Sequence, residues 1–262
     1  MSYETLQLET DGPVAIVRLN RPERYNALND RMGRELLDVA IQISHDTGIR
    51  AMMLTGNGRA FCSGGDIKEF VAAGDRIPLY ADRLTVDLHA YVSKIMRMGK
   101  PVVAAVNGPA AGAGFSLAMA CDLVVAADDA PFTMAYTGIG ASPDGSSTFT
   151  VPRLVGLRRA LELALTNRTL SAEEALQWGL VNRVFPAAGF AQDALAFTRQ
   201  LAAGPTLAYG NVKALLYHSL SQGLESQMEL ETRAIVAAAR TKDFREGTRA
   251  FVEKRKAHFQ GT

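Results

Sequence analysis

Apolar residues recur along this chain in two alternating rhythms. Compact runs rich in β-branched residues, Ala51–Thr55, Val102–Val106 and Leu123–Ala127, read as buried strands. Between them the apolar spacing becomes helical. Met32, Leu36, Ala40 and Ile43 share one face of a helix that Asn29 can cap. After a break at Arg76–Pro78, Leu84, Leu88, Tyr91, Val92 and Ile95 line the buried side of a longer helix. The chain opens on alternating Thr5–Glu9, a turn at Asp11-Gly12 and apolar Val14–Leu19, which together predict a hairpin. Further strands are expected at Pro131–Tyr136 and Val181–Val184, and further helices at Phe115–Ala120 and Arg158–Thr166. Ser171 and Glu174 form a capping box for a helix that Gly179 closes. From Phe190 onward the pattern is helical throughout: Phe190–Ala203, Thr206–Leu220, Leu224–Ala238 and Lys242–His258, with no Gly/Ser-rich linker. Short strands alternating with helices predict an α/β architecture. No internal sequence repeat is visible.

Composition narrows the function classes. With 48% hydrophobic and 21% charged residues the chain is ordinary for a soluble globular protein, and 262 residues suffice for one large domain. A formal net charge of +1 gives no electrostatic reason to expect nucleic acid or an anionic membrane as partner. The two cysteines, Cys62 and Cys121, exclude a disulfide framework and a Cys-rich metal site, and read as small buried side chains in a reducing compartment. The start MSYETLQLETDG has no signal-peptide pattern, and the longest apolar run, Ala110–Cys121, is too short for a membrane span. A cytoplasmic location is expected.

Candidate chemistry sits at two strand-to-helix corners. The run Val102–Val106 leads into Asn107–Ser116, NGPAAGAGFS, and Ala51–Thr55 leads through Gly56-Asn57-Gly58 into Phe61–Ile67, FCSGGDI. Glycines at such corners permit close approach, and a helix start leaves N–H groups without intrahelical partners. Two such corners suggest paired donors converging on one oxygen. A tight turn packed for its own sake is the alternative for each corner taken alone. FCSGGDI together with NGPAAGAG resembles the crotonase, or enoyl-CoA hydratase/isomerase, superfamily, from about Leu6 to Phe259. The resemblance implies a spiral of ββα units over residues 1–200 and a C-terminal helical region over 201–262 that assembles a homotrimer or hexamer. It implies an acyl-CoA thioester as substrate, coenzyme A entering as part of that substrate, with no permanently bound cofactor and no metal.

The same resemblance maps the two oxyanion donors to the N–H groups of Gly65 and Ala113. The family's run of three glycines is here Gly112-Ala113-Gly114, and alanine keeps the N–H. The hydratases' two glutamates fall at Ser116 and Tyr136, poor groups for activating water at neutral pH. Asp144 falls at the catalytic carboxylate of the family's isomerases, which move a β,γ double bond into α,β conjugation. As a residue after proline in a turn, it also has a purely structural reading. The isomerase pattern continues Gly-Gly, whereas this chain has Gly145-Ser146-Ser147. An aromatic acyl-CoA dehalogenase would use Asp144 as nucleophile and His89 as base, but it carries Trp where Tyr136 stands. His89 alone reads as a surface side chain. For coenzyme A the resemblance indicates Arg24 near the phosphates, and Ala60, Phe61, Asp66, Ile67 and Lys68 near adenine and pantetheine. Asp66 can equally cap the following helix. Lys254-Arg255-Lys256 is either a phosphate contact or a solvated helix face. A non-catalytic relative that binds acyl-CoA, protein or RNA is the reading from another class; RNA would want a basic stripe with exposed aromatics, which the chain lacks.

Overall fold

The computed structural model describes residues 3–262. The opening hairpin forms from β1 (Leu6–Asp11) and β2 (Val14–Leu19), antiparallel with Asp11 opposite Val14. Parallel pairing needs a crossover, and α1 (Asp30–His45) carries the chain from β2 to β3 (Ala51–Gly56). Asn29 caps α1 by accepting the Met32 N–H at 3.0 Å, and the expected Met32, Leu36, Ala40 and Ile43 are buried. α2 (Ile67–Ala73) and a 3-10 turn at Gly74–Arg76 precede α3 (Ile77–Met96). Pro78 stands in the first turn of α3, where a missing N–H has no intrahelical partner to lose.

The chain then runs through β4 (Val102–Val106), β5 (Ala110–Ala111), α4 (Ala113–Met119), β6 (Leu123–Ala127) and β7 (Phe132–Thr133). It continues with α5 (Ser147–Val155), α6 (Leu157–Thr166), α7 (Ala172–Trp178), β8 (Arg183–Phe185) and α8 (Phe190–Ala202). The main sheet has the order β1-β2-β3-β4-β6-β8, parallel from β2 onward, and β5 pairs with β7 in a separate parallel ribbon. α8 packs across β2, β3, β4 and β6, and α1 packs on α3. Strands β3 and β4 are therefore buried along their whole length, which is why their sequences are continuous apolar runs.

The tail is α9 (Thr206–Ser219), α10 (Leu224–Ala239) and α11 (Lys242–Val252). It is bonded onto the rest of the chain. Lys213 donates to Asp122 Oδ2 at 2.7 Å, and Arg50 donates to Thr206 Oγ1 and the Phe259 carbonyl, both at 3.0 Å.

Three expectations need correction. The strand expected over Pro131–Tyr136 is only Phe132–Thr133, because Ala135 takes φ 58° and Tyr136 begins a 3-10 turn. α5 falls where the sequence pattern predicts no helix. Pro152 lies inside it, and the carbonyl of exposed Thr148 forgoes its helical bond without being cut off from water. The last helix ends at Val252 rather than His258. Lys254 takes φ 54°, and Arg255 turns back to hold Glu246 with two bonds of 2.6 and 2.9 Å.

Candidate active site

The two glycine corners are hydrogen-bonded to each other and to the loop before α1. The Leu28 N–H donates to the Gly64 carbonyl at 2.7 Å, and the Asp66 N–H donates to the Leu28 carbonyl at 2.8 Å. This is a parallel bridge centred on Gly65, and it turns the N–H of Gly65 away from Leu28. Cys62 bridges Ala110 in the same manner, donating to the Pro109 carbonyl and accepting from Ala111. The corners touch closely. A Cβ built on Gly64 would lie 3.6 Å from Ala113 N, and one on Gly114 would strike the Cys62 carbonyl. Ala113 opens α4, so its N–H has no intrahelical acceptor. Among the described residues neither the Gly65 nor the Ala113 N–H donates to any protein group. Two unspent donors thus sit on adjoining corners.

Behind Gly65 stands an aromatic wall. The Phe70 ring lies 3.1 Å from where a Cβ on Gly65 would be, and meets Tyr80 edge to face with centroids 4.8 Å apart. Tyr80 Oη donates to Glu69 Oε2 at 3.0 Å, and Asn29 donates to the other oxygen of Glu69 at 2.8 Å.

The carboxylate comes from the loop before α5. Asp144 is half-buried, and its carbonyl accepts both the N–H and the Oγ–H of Ser147, which closes the turn. Tyr136 donates to Asp144 Oδ1 at 2.5 Å, and Tyr136 Oη lies 2.8 Å from Ser116 Oγ on α4. Ser116 is fully buried and Tyr136 nearly so. Gly145 lets this loop seat on α4: it takes φ 58°, and a Cβ there would lie 2.9 Å from Ser116 Cβ. Its N–H donates to His89 Nε2 at 3.2 Å, so α3 also holds the loop. Burial, followed by the charge and hydrogen bond of Asp144, pushes the Tyr136 phenol far above its ordinary range. Tyr136 therefore remains a donor at any working pH. Asp144 forms no ion pair among the described residues.

The residues expected at coenzyme A divide into two groups. Arg24, Ile67 and Lys68 are exposed at the rim of the first corner. Ala60 and Phe61 are 1% and 0% exposed and offer no surface to a ligand in this conformation. The Asp66 carboxylate is committed within the protein. It caps α2 by accepting the Lys68 N–H at 3.1 Å and pairs with Arg21 at 2.8 Å. The basic run near the C-terminus is not a helix face, and Arg255 is already bonded to Glu246 and Glu253.

Sequence reasoning passed over Arg21, Asn26, Leu28 and Phe70. Buried Asn26 donates to the carbonyls of Asn57 and Ala60 and accepts from the Arg21 N–H. The bonds by which Arg21, Asn26 and Leu28 hold the corner reach partners more than 30 positions away, Asp66, Asn57 and Gly64 among them, which no local signal marks. A separate groove of about 580 Å³ runs between α9 and the core, lined by Met119, Phe149, Leu180, Val212 and Leu216 among others. None of Gly65, Ala113, Tyr136 and Asp144 lines it.

This fold and paired corner define a class, and comparison with known proteins agrees. The family model described as enoyl-CoA hydratase/isomerase matches residues 9–262, and the chain belongs to that family, within the crotonase superfamily. Among its relatives, a Rhodobacter capsulatus protein named "Probable enoyl-CoA hydratase" is 41% identical, covering 100% of both chains. The 4-chlorobenzoyl coenzyme A dehalogenase-1 of an Arthrobacter species is 40% identical over 94% of this chain and 89% of its own. The 1,2-epoxyphenylacetyl-CoA isomerase of Escherichia coli K12 is 38% identical over 95% of both. The crystal structure of an enoyl-CoA hydratase from Polaromonas sp. JS666 superposes with a TM-score of 0.93 at 33% identity, covering 97% of this chain and 99% of that one. Among the described residues no helix is long and apolar enough to cross a membrane.

Proposed function

We propose that the protein is an acyl-CoA isomerase that shifts a β,γ double bond into α,β conjugation, with Asp144 as its base. The observation that carries this reading is the placement of one carboxylate, Asp144, in the loop seated on α4, the helix whose first N–H is unspent. The thioester carbonyl oxygen is held by the N–H groups of Gly65 and Ala113. Asp144 takes a proton from carbon 2, and the electron pair moves through carbon 1 to that oxygen. Asp144 then delivers a proton to carbon 4 of the dienolate, leaving the double bond between carbons 2 and 3. Only the enolate carries full negative charge on the oxygen, so the two donors stabilise it more than the substrate; each supplies about a hundred- to a thousandfold in rate.

Hydration would need a second group to activate water. Ser116 and Tyr136 occupy the places of the hydratase glutamates, and their hydroxyls are buried and bonded to one another. Dehalogenation is the second reading, supported by the Arthrobacter relative and by the carboxylate of Asp144, whose Oδ2 accepts from no group among the described residues. Against it, the His89 nitrogen nearest the Asp144 loop already accepts the Gly145 N–H. The substrate enters as its coenzyme A thioester, with Arg24 and Lys68 as the exposed cations at the first corner, in the cytoplasm. The unit that acts is a trimer or hexamer built through the helical tail.

The test is a panel of β,γ- and α,β-enoyl-CoAs with one halobenzoyl-CoA, run on the wild type and on Asp144→Asn. The expected result is isomerisation with little hydration of crotonyl-CoA, reduced about 10²- to 10⁴-fold in the variant. Robust hydration retained by Asp144→Asn would overturn both readings. A covalent aryl adduct on Asp144, seen by mass, would select dehalogenation.

A further inference from the structure

We propose that Arg21 is the positioning residue of the Gly65 donor, its guanidinium heading a hydrogen-bonded chain of two peptide units that ends on the Gly65 N–H. The proposal rests on the reading of Gly65 and Ala113 as the donors that hold the thioester oxygen.

The chain runs bond by bond through the backbone. Arg21 Nη1 donates to the Ala27 carbonyl at 2.6 Å. That carbonyl shares a peptide unit with the Leu28 N–H, which donates to the Gly64 carbonyl at 2.7 Å. The Gly64 carbonyl in turn shares a peptide unit with the Gly65 N–H. Neither peptide is cis, so in each the C=O and the N–H leave on opposite edges. Every link therefore has the same sense, from the cation toward the unspent donor. A carbonyl that accepts a bond polarises its own N–H into a stronger donor, and links in series reinforce one another. No proton moves along the chain.

The head of the chain is fixed from both sides. Arg21 Nη2 donates to Asp66 Oδ2 at 2.8 Å and to Glu69 Oε1 at 3.4 Å, and the side chains of Arg21 and Asp66 are largely buried. The Asp66 N–H donates to the Leu28 carbonyl, so the planar fork ties the residue before Leu28 to the residue after Gly65. Leu28 is fully buried and Ala27 nearly so, which keeps water from competing for these bonds. Because Asp66 balances the charge of Arg21, the route to Gly65 is the chain of bonds rather than the bare field of the cation. The Ala113 donor has no charged source. The Gly112 carbonyl in its peptide accepts the Ser116 N–H at 3.0 Å and lies 3.4 Å from the Ser116 hydroxyl, both neutral. An enolate oxygen held by the two N–H groups thus meets one donor backed by a cation and one that is not.

The experiment reads the thioester carbonyl itself, without turnover. Butyryl-CoA, which has no double bond to move, carries carbon-13 at that carbonyl, and its stretch is measured free and bound by difference infrared spectroscopy. Binding to the wild type should lower the stretch. Arg21→Met keeps a stem of similar reach, and its drop should be smaller by about 10–30%, the share that cooperative bonding supplies. With a β,γ-enoyl-CoA its kcat should fall about three- to tenfold, a fraction of what a lost donor costs, with KM nearly unchanged. Arg21→Lys keeps the charge but loses the fork between Ala27 and Asp66, and should move both readings the same way by less. It replaces Arg21→Met if circular dichroism shows the latter unfolded. A drop equal to that of the wild type in the folded variant would make Arg21 a packing residue and overturn the proposal. No drop in the wild type would overturn the donor reading itself, and the role of Arg21 with it. Since butyryl-CoA is not isomerised, the infrared result decides the role of Arg21 even if Asp144 proves not to be the base.

Discussion

At the scale of single residues, the corner depends on what is absent. Gly114 has no room for a side chain, since a Cβ would overlap the carbonyl and Cβ of Cys62. That carbonyl accepts the Ala111 N–H and joins the two corners, so it cannot yield without moving them. Gly114→Ala should therefore lower stability by about 2–4 kcal/mol in urea unfolding and remove most turnover. An alanine variant with unchanged midpoint and rate would mean that the corners are looser than drawn. Residues whose role is local were legible: Asn29 as a cap, Ser171 and Glu174 as a capping box, and Asp66 in its capping reading. Residues whose role is a distant contact were not. Nothing near Tyr136 in sequence shows that its hydroxyl spans Asp144 and Ser116, which only the fold brings together.

At the scale of elements, apolar periodicity located the strands β2, β3, β4 and β6 and nearly every helix. It failed where backbone conformation overrides side-chain pattern. Ala135 and Lys254 take left-handed conformations that cut short an expected strand and an expected helix, and Pro152 hid α5. The shortened α11 makes a testable difference. Glu246 on α11 accepts from Arg255 and from the His258 N–H, and these bonds lower its carboxyl from 4.5 to about 2. The folded state thus holds the ionised form more tightly than the unfolded chain does. The bond's contribution is complete above pH 4.5 and disappears as pH falls through about 2. Glu246→Gln should be less stable than the wild type at neutral pH by urea unfolding, with a gap that narrows as pH falls below 4.5. Because the pair is exposed, the gap should be small and should shrink in high salt. A gap independent of pH would place the effect elsewhere.

At the scale of the whole molecule, the tail presents apolar surface that its own chain does not cover. Leu216, Leu224, Ile235 and Phe251 are 65%, 71%, 57% and 85% exposed, on three successive helices. Surface of that extent favours self-association, so sedimentation equilibrium at micromolar concentration should return a trimer or hexamer. A monomer alone would refute assembly. The fold class was legible because paired glycine corners and alternating strands and helices agree; the reaction was less so, because it turns on the neighbours of one carboxylate. That carboxylate gives the most direct test. A β,γ-enoyl-CoA is turned over in heavy water, and the product and recovered substrate are examined by mass and NMR. A base that exchanges its proton with solvent between removal and return should place deuterium at carbons 2 or 4, and Asp144→Asn should abolish that label along with isomerisation. Label incorporated at the wild-type rate by Asp144→Asn, or hydrated product in place of isomer, would contradict the account.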